Sequence, residues 1–122
     1  MEAHSHEDPF ANLDEETQRK IQEIQILEQN FQQLLMQKQA FKMESNETEF
    51  SIDELKKAEG EVFKIVGSQI IIRSTKQNME KELKHKKELL DLRLKNIDSQ
   101  EKEFSGKINK LREEILKKIS SK

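Results

Sequence analysis

The stretch "EVFKIVGSQIIIR", Glu61 to Arg73, decides how this sequence is read. Val62, Phe63, Ile65, Val66, Ile70, Ile71 and Ile72 crowd into it, mostly β-branched residues that are stiff at χ1 and favour strand over helix. Gly67-Ser68 lies at its centre, and a two-residue turn with Gly first suits a type II′ hairpin. In that register Ile65 faces Ile70, Phe63 faces Ile72, Lys64 faces Ile71 and Val62 faces Arg73. One face is then wholly apolar. The spacing predicts a β-hairpin over 61–73.

On either side of this island the apolar residues follow a different period. Stepping alternately three and four from Ile24 meets Leu27, Phe31, Leu34, Lys38, Phe41, Ser45, Thr48, Ile52 and Leu55, so seven of ten positions are apolar. Stepping the same way from Leu83 meets Lys87, Leu90, Leu94, Ile97, Glu101, Phe104, Ile108, Leu111, Ile115 and Lys118. A 3–4 alternation held over several heptads is the mark of a coiled coil, because the 3.5-residue repeat keeps one seam turned to a partner. The first helix is expected over 13–59, entered through a capping pair of Asn12 and Glu15 and closed by Gly60. The second is expected over 75–119, with Ser74 and Gln77 as its capping box. Each spans about 45 residues, or roughly 65–70 Å. Equal lengths about a central turn predict an antiparallel two-helix coiled coil. Residues 1–12, polar and containing Pro9, read as a flexible tail.

Composition bounds the function. Of 122 residues, 38% are charged and 33% hydrophobic, well below the roughly 45–50% apolar content of an ordinary globular domain. No broad single core is expected. The 22 Lys and Arg nearly balance the 24 Asp and Glu, for a net charge of −2, so no global field favours nucleic acid or an acidic membrane. Cysteine is absent, which removes disulfides, thiolate chemistry and cysteine metal sites. With no run of 18 apolar residues, and a start "MEAHSHEDPF" unlike a signal peptide, a cytoplasmic location is expected.

An isolated two-stranded hairpin is marginal in water, and this one has open edges and an apolar face. Val62, Phe63, Ile65, Val66, Ile70, Ile71 and Ile72 are therefore read as an oligomerisation module, one hairpin per subunit adding to a shared sheet or barrel. Capping the helical turn is the simpler alternative, but that needs fewer apolar residues.

Helix, "VFKIVGSQIIIR", helix resembles a prefoldin subunit of the beta class, which carries one hairpin between two coiled-coil arms. "QKQ" at Gln37–Gln39, "NET" at Asn46–Thr48 and "LRLKNIDSQEKEFSGKINKL" at Leu92–Leu111 are similar to the archaeal-type beta subunit. The resemblance covers about residues 20–119. The acidic, His-containing N-terminal extension and the C-terminus close after the second helix depart from the family pattern. The resemblance implies a mainly α fold, with hairpins from several subunits joining into a shared β-barrel hub. It also implies an ATP-independent chaperone in a hexamer of two alpha and four beta subunits, which holds unfolded polypeptides and delivers them to a group II chaperonin.

The residues agree with holding at the helix ends. Ile21, Ile24, Ile26 and Leu27 gather near one end, and Leu111, Ile115, Leu116 and Ile119 near the other. Neighbours on a helix point about 100° apart, so Ile26 beside Leu27, and Leu116 beside Ile115, cannot all enter one seam. These eight are the candidate client-binding residues. Ile24, Leu27, Leu111 and Ile115 also fit the seam, with Ile108; Ile21, Ile26, Leu116 and Ile119 are expected to face a client.

Other chemistry finds little support. His4 and His6 with Glu7 and Asp8 read as solvated tail residues rather than metal ligands. No glycine-rich phosphate loop, GxSxG elbow or HExxH occurs, so no catalytic residue, metal or cofactor is expected. "KELKHKKELLDLRLK" is basic but lacks aromatics, and reads as a solvated helix face. Two rival readings remain: a coiled-coil scaffold without client binding, and an RNA-binding helical arm using Lys84, Lys86 and Lys87.

Overall fold

The computed structural model describes residues 14–120. Four elements follow in order: α1 (Glu15–Lys57), β1 (Val62–Val66), β2 (Ile70–Ser74) and α2 (Lys76–Ser120). The predicted helix–hairpin–helix order is borne out, with shifts at each boundary that have local causes.

α1 starts where a side chain satisfies its first orphan amides. Asp14 Oδ1 accepts the Thr17 N–H at 2.7 Å, and Glu15 and Glu16 place negative charge at the positive end of the helix dipole. Asn12, expected as the cap, lies outside the described residues; Asp14 serves instead. At the other end α1 stops at Lys57 rather than Glu59, and Gly60 takes a φ of 86°. The Lys76 ammonium, first residue of α2, donates to the carbonyl oxygens of Lys56 at 2.8 Å and Ala58 at 3.2 Å. A cation of α2 thus satisfies one carbonyl in the last turn of α1 and one just beyond its end. α2 is capped by Thr75, whose Oγ1 accepts the Asn78 N–H at 3.1 Å. The predicted cap, Ser74, is instead the last residue of β2, paired with Val62.

The chain divides into two compact units. The first joins the described residues up to Leu35 with those from Ser99 onward. Its seam buries Thr17, Ile24, Leu34, Ile108 and Ile115, with Ile21, Leu27, Phe31, Phe104 and Leu111 half-buried. The rings of Phe31 and Phe104 meet at 6.5 Å between centroids, tilted by 49°. Ion pairs bracket the seam: Asp14–Lys118 at 2.8 Å, Lys20–Glu114 at 3.4 Å and Glu28–Arg112 at 3.1 Å. Partners descend α2 as they climb α1, so the helices run antiparallel. Lys118, expected on the seam, is exposed and reaches across to Asp14.

The second unit comprises Met36–Asp98. Ile52, Leu55, Leu90 and Ile97 are its buried apolar residues, and the Arg93 guanidinium lies 5.5 Å from the Phe41 ring centroid. A polar layer interrupts this seam. Ser45 is buried; its Oγ donates to Asp91 Oδ1 at 3.1 Å, while Lys87 Nζ lies 3.2 Å from Asp91 Oδ2 and 3.5 Å from Glu49. Buried Thr48 donates to the Glu44 carbonyl at 2.7 Å. Among the described residues no buried side-chain polar atom lacks a partner.

The hairpin in this unit pairs Val66 with Ile70, Ile65 with Ile71, Lys64 with Ile72, Phe63 with Arg73 and Val62 with Ser74. This corrects the predicted register by one residue. The turn holds three residues, Gly67, Ser68 and Gln69, with Gly67 at a φ of 66°, so Gln69 leaves the ladder and every residue of β2 moves one place.

Two outcomes follow from this packing. Leu90→Ala empties a site at the centre of the seam and is expected to cost about 2–4 kcal/mol, whereas Leu92→Ala, at an exposed position, should stay within about 0.5 kcal/mol; urea denaturation distinguishes them. The Lys118 ammonium first, then the Thr17 side chain and amide, hold the Asp14 carboxyl well below the usual carboxylate range. A depressed carboxyl contributes stability above its unfolded value of about 3.9, and loses it as pH falls toward the folded value. Protection of the Thr17 amide against hydrogen exchange should accordingly decline on acidification below about pH 4, and Asp14→Asn should remove that pH dependence.

Candidate functional site

The hairpin presents an unusual amount of apolar surface. Cross-strand partners share a face. Phe63, Ile65, Ile71 and Arg73 therefore form one face, and Val62, Lys64, Val66, Ile70, Ile72 and Ser74 the other. The single apolar face expected from sequence, Phe63 and Ile65 with Ile70 and Ile72, does not occur, because the three-residue turn sends Ile70 and Ile72 to the opposite side.

The two faces differ in surroundings. Lys64 Nζ pairs with Glu82 Oε2 of α2 at 2.9 Å, which ties the second face to the start of that helix, and Val62, Lys64 and Ser74 are half-buried there. A groove lined by Lys64, Ile72, Ser74, Asn78 and His85 opens beside them. The first face turns outward. Phe63, Ile65 and Ile71 keep 50%, 70% and 66% of their surface exposed, and Val66, Ile70 and Ile72 are exposed as well. Arg73 pairs with Glu61 at 3.3 Å at the outer end of this face. Among the described residues each strand has one partner, so each also has an unpaired edge. Apolar faces with unpaired edges have the chemistry of a sheet waiting for more strands.

In the first unit the candidate residues separate by burial. Ile24 and Ile115 are buried, while Leu27, Leu111 and Ile21 are half-buried. These five belong to the seam; Ile21, expected to face outward, sits one seam step after Thr17. Ile26, Leu116 and Ile119 lie off the seam, 59%, 64% and 45% exposed. Their exposure agrees with their helical phase.

A second set of exposed apolar residues escaped the sequence reading. Met36, Met43 and Phe50 recur every seven residues on α1, on the side away from the seam, and all are well exposed. Their signal was present as a heptad-spaced apolar triplet offset by two from the seam positions.

The basic run of α2 is not an uncompensated cationic patch. Lys84 pairs with Glu80 at 3.0 Å, Lys86 with Glu44 at 3.3 Å, and Lys87 with Asp91 and Glu49. The Lys84 contact lowers the Glu80 carboxyl pKa, and Asp91 raises that of the Lys87 ammonium. Such neutralised pairs describe a solvated helix face. Among the described residues no cluster of three or more His, Asp or Glu is placed to hold a metal, and no helix is long and apolar enough to cross a membrane. His4 and His6 lie outside the described residues.

Comparison with known proteins agrees with this geometry. Residues 18–122 match the family model described as prefoldin subunit. The prefoldin subunit beta of Methanothrix thermoacetophila is 33% identical over 109 residues, covering 88% of this chain and 90% of that protein. That of Pyrobaculum arsenaticum is 34% identical over 91 residues, covering 73% of each. Among solved structures, the prefoldin beta subunit from Thermococcus strain KS-1 superposes with a TM-score of 0.79 at 30% identity, covering 85% of this chain and 92% of that one. With two seamed helices about one hairpin, and a family model spanning nearly all of it, this chain belongs to the prefoldin family of chaperone subunits.

Proposed function

We propose that this chain is a beta-class subunit of an ATP-independent prefoldin hexamer that works in the cytoplasm. It assembles through its hairpin and holds unfolded polypeptides at the paired helix ends. The observation that carries the assembly reading is the exposure of Phe63, Ile65, Val66, Ile70, Ile71 and Ile72 on both faces of a two-stranded sheet. Strands added at both edges and apolar side chains laid over both faces remove that surface from water. Hairpins from two alpha and four beta subunits joined in one barrel supply this cover.

Client holding rests on Ile26, Leu116 and Ile119, which the seam residues Ile21, Ile24, Leu27, Leu111 and Ile115 carry into solvent. Apolar side chains on charged helices bind through non-directional burial, suited to clients that share no sequence. Each contact is weak, and several subunits acting on one chain add by avidity. No bond is made or broken in holding, so the reading requires no catalytic group. The held client then passes to a group II chaperonin.

The test combines mass measurement with an aggregation assay, using this chain with an archaeal-type prefoldin alpha subunit and a chemically denatured protein. Ile65→Asp should abolish the hexamer, since a carboxylate enclosed among apolar side chains costs several kcal/mol. Replacing Ile26, Leu116 and Ile119 together by Ser should leave the mass unchanged and reduce suppression of aggregation severalfold. A hexamer retained by Ile65→Asp refutes hairpin assembly. A wild-type hexamer that never slows aggregation favours a scaffold without client binding.

A further inference from the structure

Phe50 has no part in the seam, yet it is the large aromatic of α1 set beside the hairpin. Its flanking seam positions, Thr48 and Ile52, are buried, so a residue midway between them points away from α2, and Phe50 is 66% exposed. It is not isolated. A groove of 710 Å³ is lined by Phe50 and Leu55 of α1, Phe63 and Ile65 of β1, and Met79 and Leu83 of α2, with Glu54, Glu82 and Lys86 at its polar margin. Four consecutive β1 residues, Val62 to Ile65, border it, and no residue of β2 does. Residues from both faces of β1 but from one strand only place the groove along the unpaired edge of β1. The same outward surface of α1 continues as Met43 and Met36.

We propose that this groove seats a hairpin strand of a neighbouring prefoldin-family subunit, with Phe50 as its helix-borne anchor. The inference rests on the reading that the hairpin assembles subunits, and it extends that interface from the sheet onto α1. Three observations commit the site to a strand. β1 offers five residues of unpaired ladder, about 17 Å of edge, to backbone N–H and C=O partners. The apolar floor lies directly beside that edge, so the side chains of an added strand on the helix side meet Phe50 and Leu55 rather than water. The surface is also continuous with exposed Phe63 and Ile65, so one partner strand covers helix and hairpin together. An aromatic side chain at the margin of a β-augmented edge gives such a pairing a direction, because only one of the two hairpin edges carries it.

The experiment measures dissociation of the complex of this chain with an archaeal-type prefoldin alpha subunit, by native mass spectrometry across a dilution series. Phe50→Gln keeps good helix propensity and removes the anchor; the midpoint concentration for dissociation should rise about tenfold. Phe50→Leu should restore it to within about threefold, and Met36→Gln, on the same stripe but outside the groove, should leave it within about twofold. Thermal melting of the isolated chain should not change in any of these variants, since the residues are exposed there. If Ile65→Asp still assembles, the hairpin reading falls and this inference with it. If Ile65→Asp dissociates the complex while Phe50→Gln dissociates like wild type, the hairpin reading stands and the groove proposal is wrong. Weakened client holding by Phe50→Gln with unchanged dissociation would likewise overturn it, assigning the groove to clients.

Discussion

Burial of one narrow seam between two antiparallel helices is the interaction on which each unit depends. Among the described residues the buried apolar ones, Ile24, Leu34, Ile52, Leu55, Leu90, Ile97, Ile108 and Ile115, all lie on it. α1 and α2 owe most of their order to the face they bury rather than to propensity alone. Because the seam takes up so few positions per turn, many other apolar residues are left facing water. Exposure of Ile26, Leu116, Phe50 and the hairpin is therefore a consequence of the architecture rather than an exception to it.

Polar residues give that seam its alignment. Apolar side chains tolerate a slip of one heptad at modest cost, but Ser45 has its partner only when Asp91 and Lys87 lie opposite. The cross-helix pairs Lys38–Asp98, Lys86–Glu44, Lys20–Glu114 and Glu28–Arg112 repeat the same alignment. Exposed pairs contribute little individually, so their value lies in disfavouring other registers. A polar layer inside a coiled coil lowers stability and raises specificity, a trade-off known at single polar seam positions.

The hairpin follows a different rule. Between helices that satisfy their own backbone groups, it leaves an unpaired strand edge on each side and apolar side chains on both faces. Its three-residue turn distributes isoleucines to both faces, so covering one face alone leaves Val66, Ile70 and Ile72 in water. The function proposed above, assembly at one site and holding of unrelated chains at another, needs two kinds of exposed apolar surface. The sheet offers directional backbone partners; Ile26, Leu116 and Ile119 offer only burial. In the proposed function, that contrast is what separates specific assembly from unspecific holding.

The helix–hairpin–helix order, the length of each element and nearly every seam position were legible in the sequence, because a 3.5-residue period and a β-branched cluster about Gly67 are local patterns. The exposure of Ile26 and Leu116 was legible too, from helical phase against Leu27 and Ile115. Only the tertiary structure decided matters that turn on single residues of register. The turn took Gln69 as well as Gly67 and Ser68, which reassigned Ile70, Ile71 and Ile72 between faces. Ser74 went to the ladder, and the cap passed to Thr75. Ile21 joined the seam because Thr17 extended it. The groove beside β1 was beyond the sequence altogether, since it is lined by Phe50, Phe63 and Met79, which are distant along the chain.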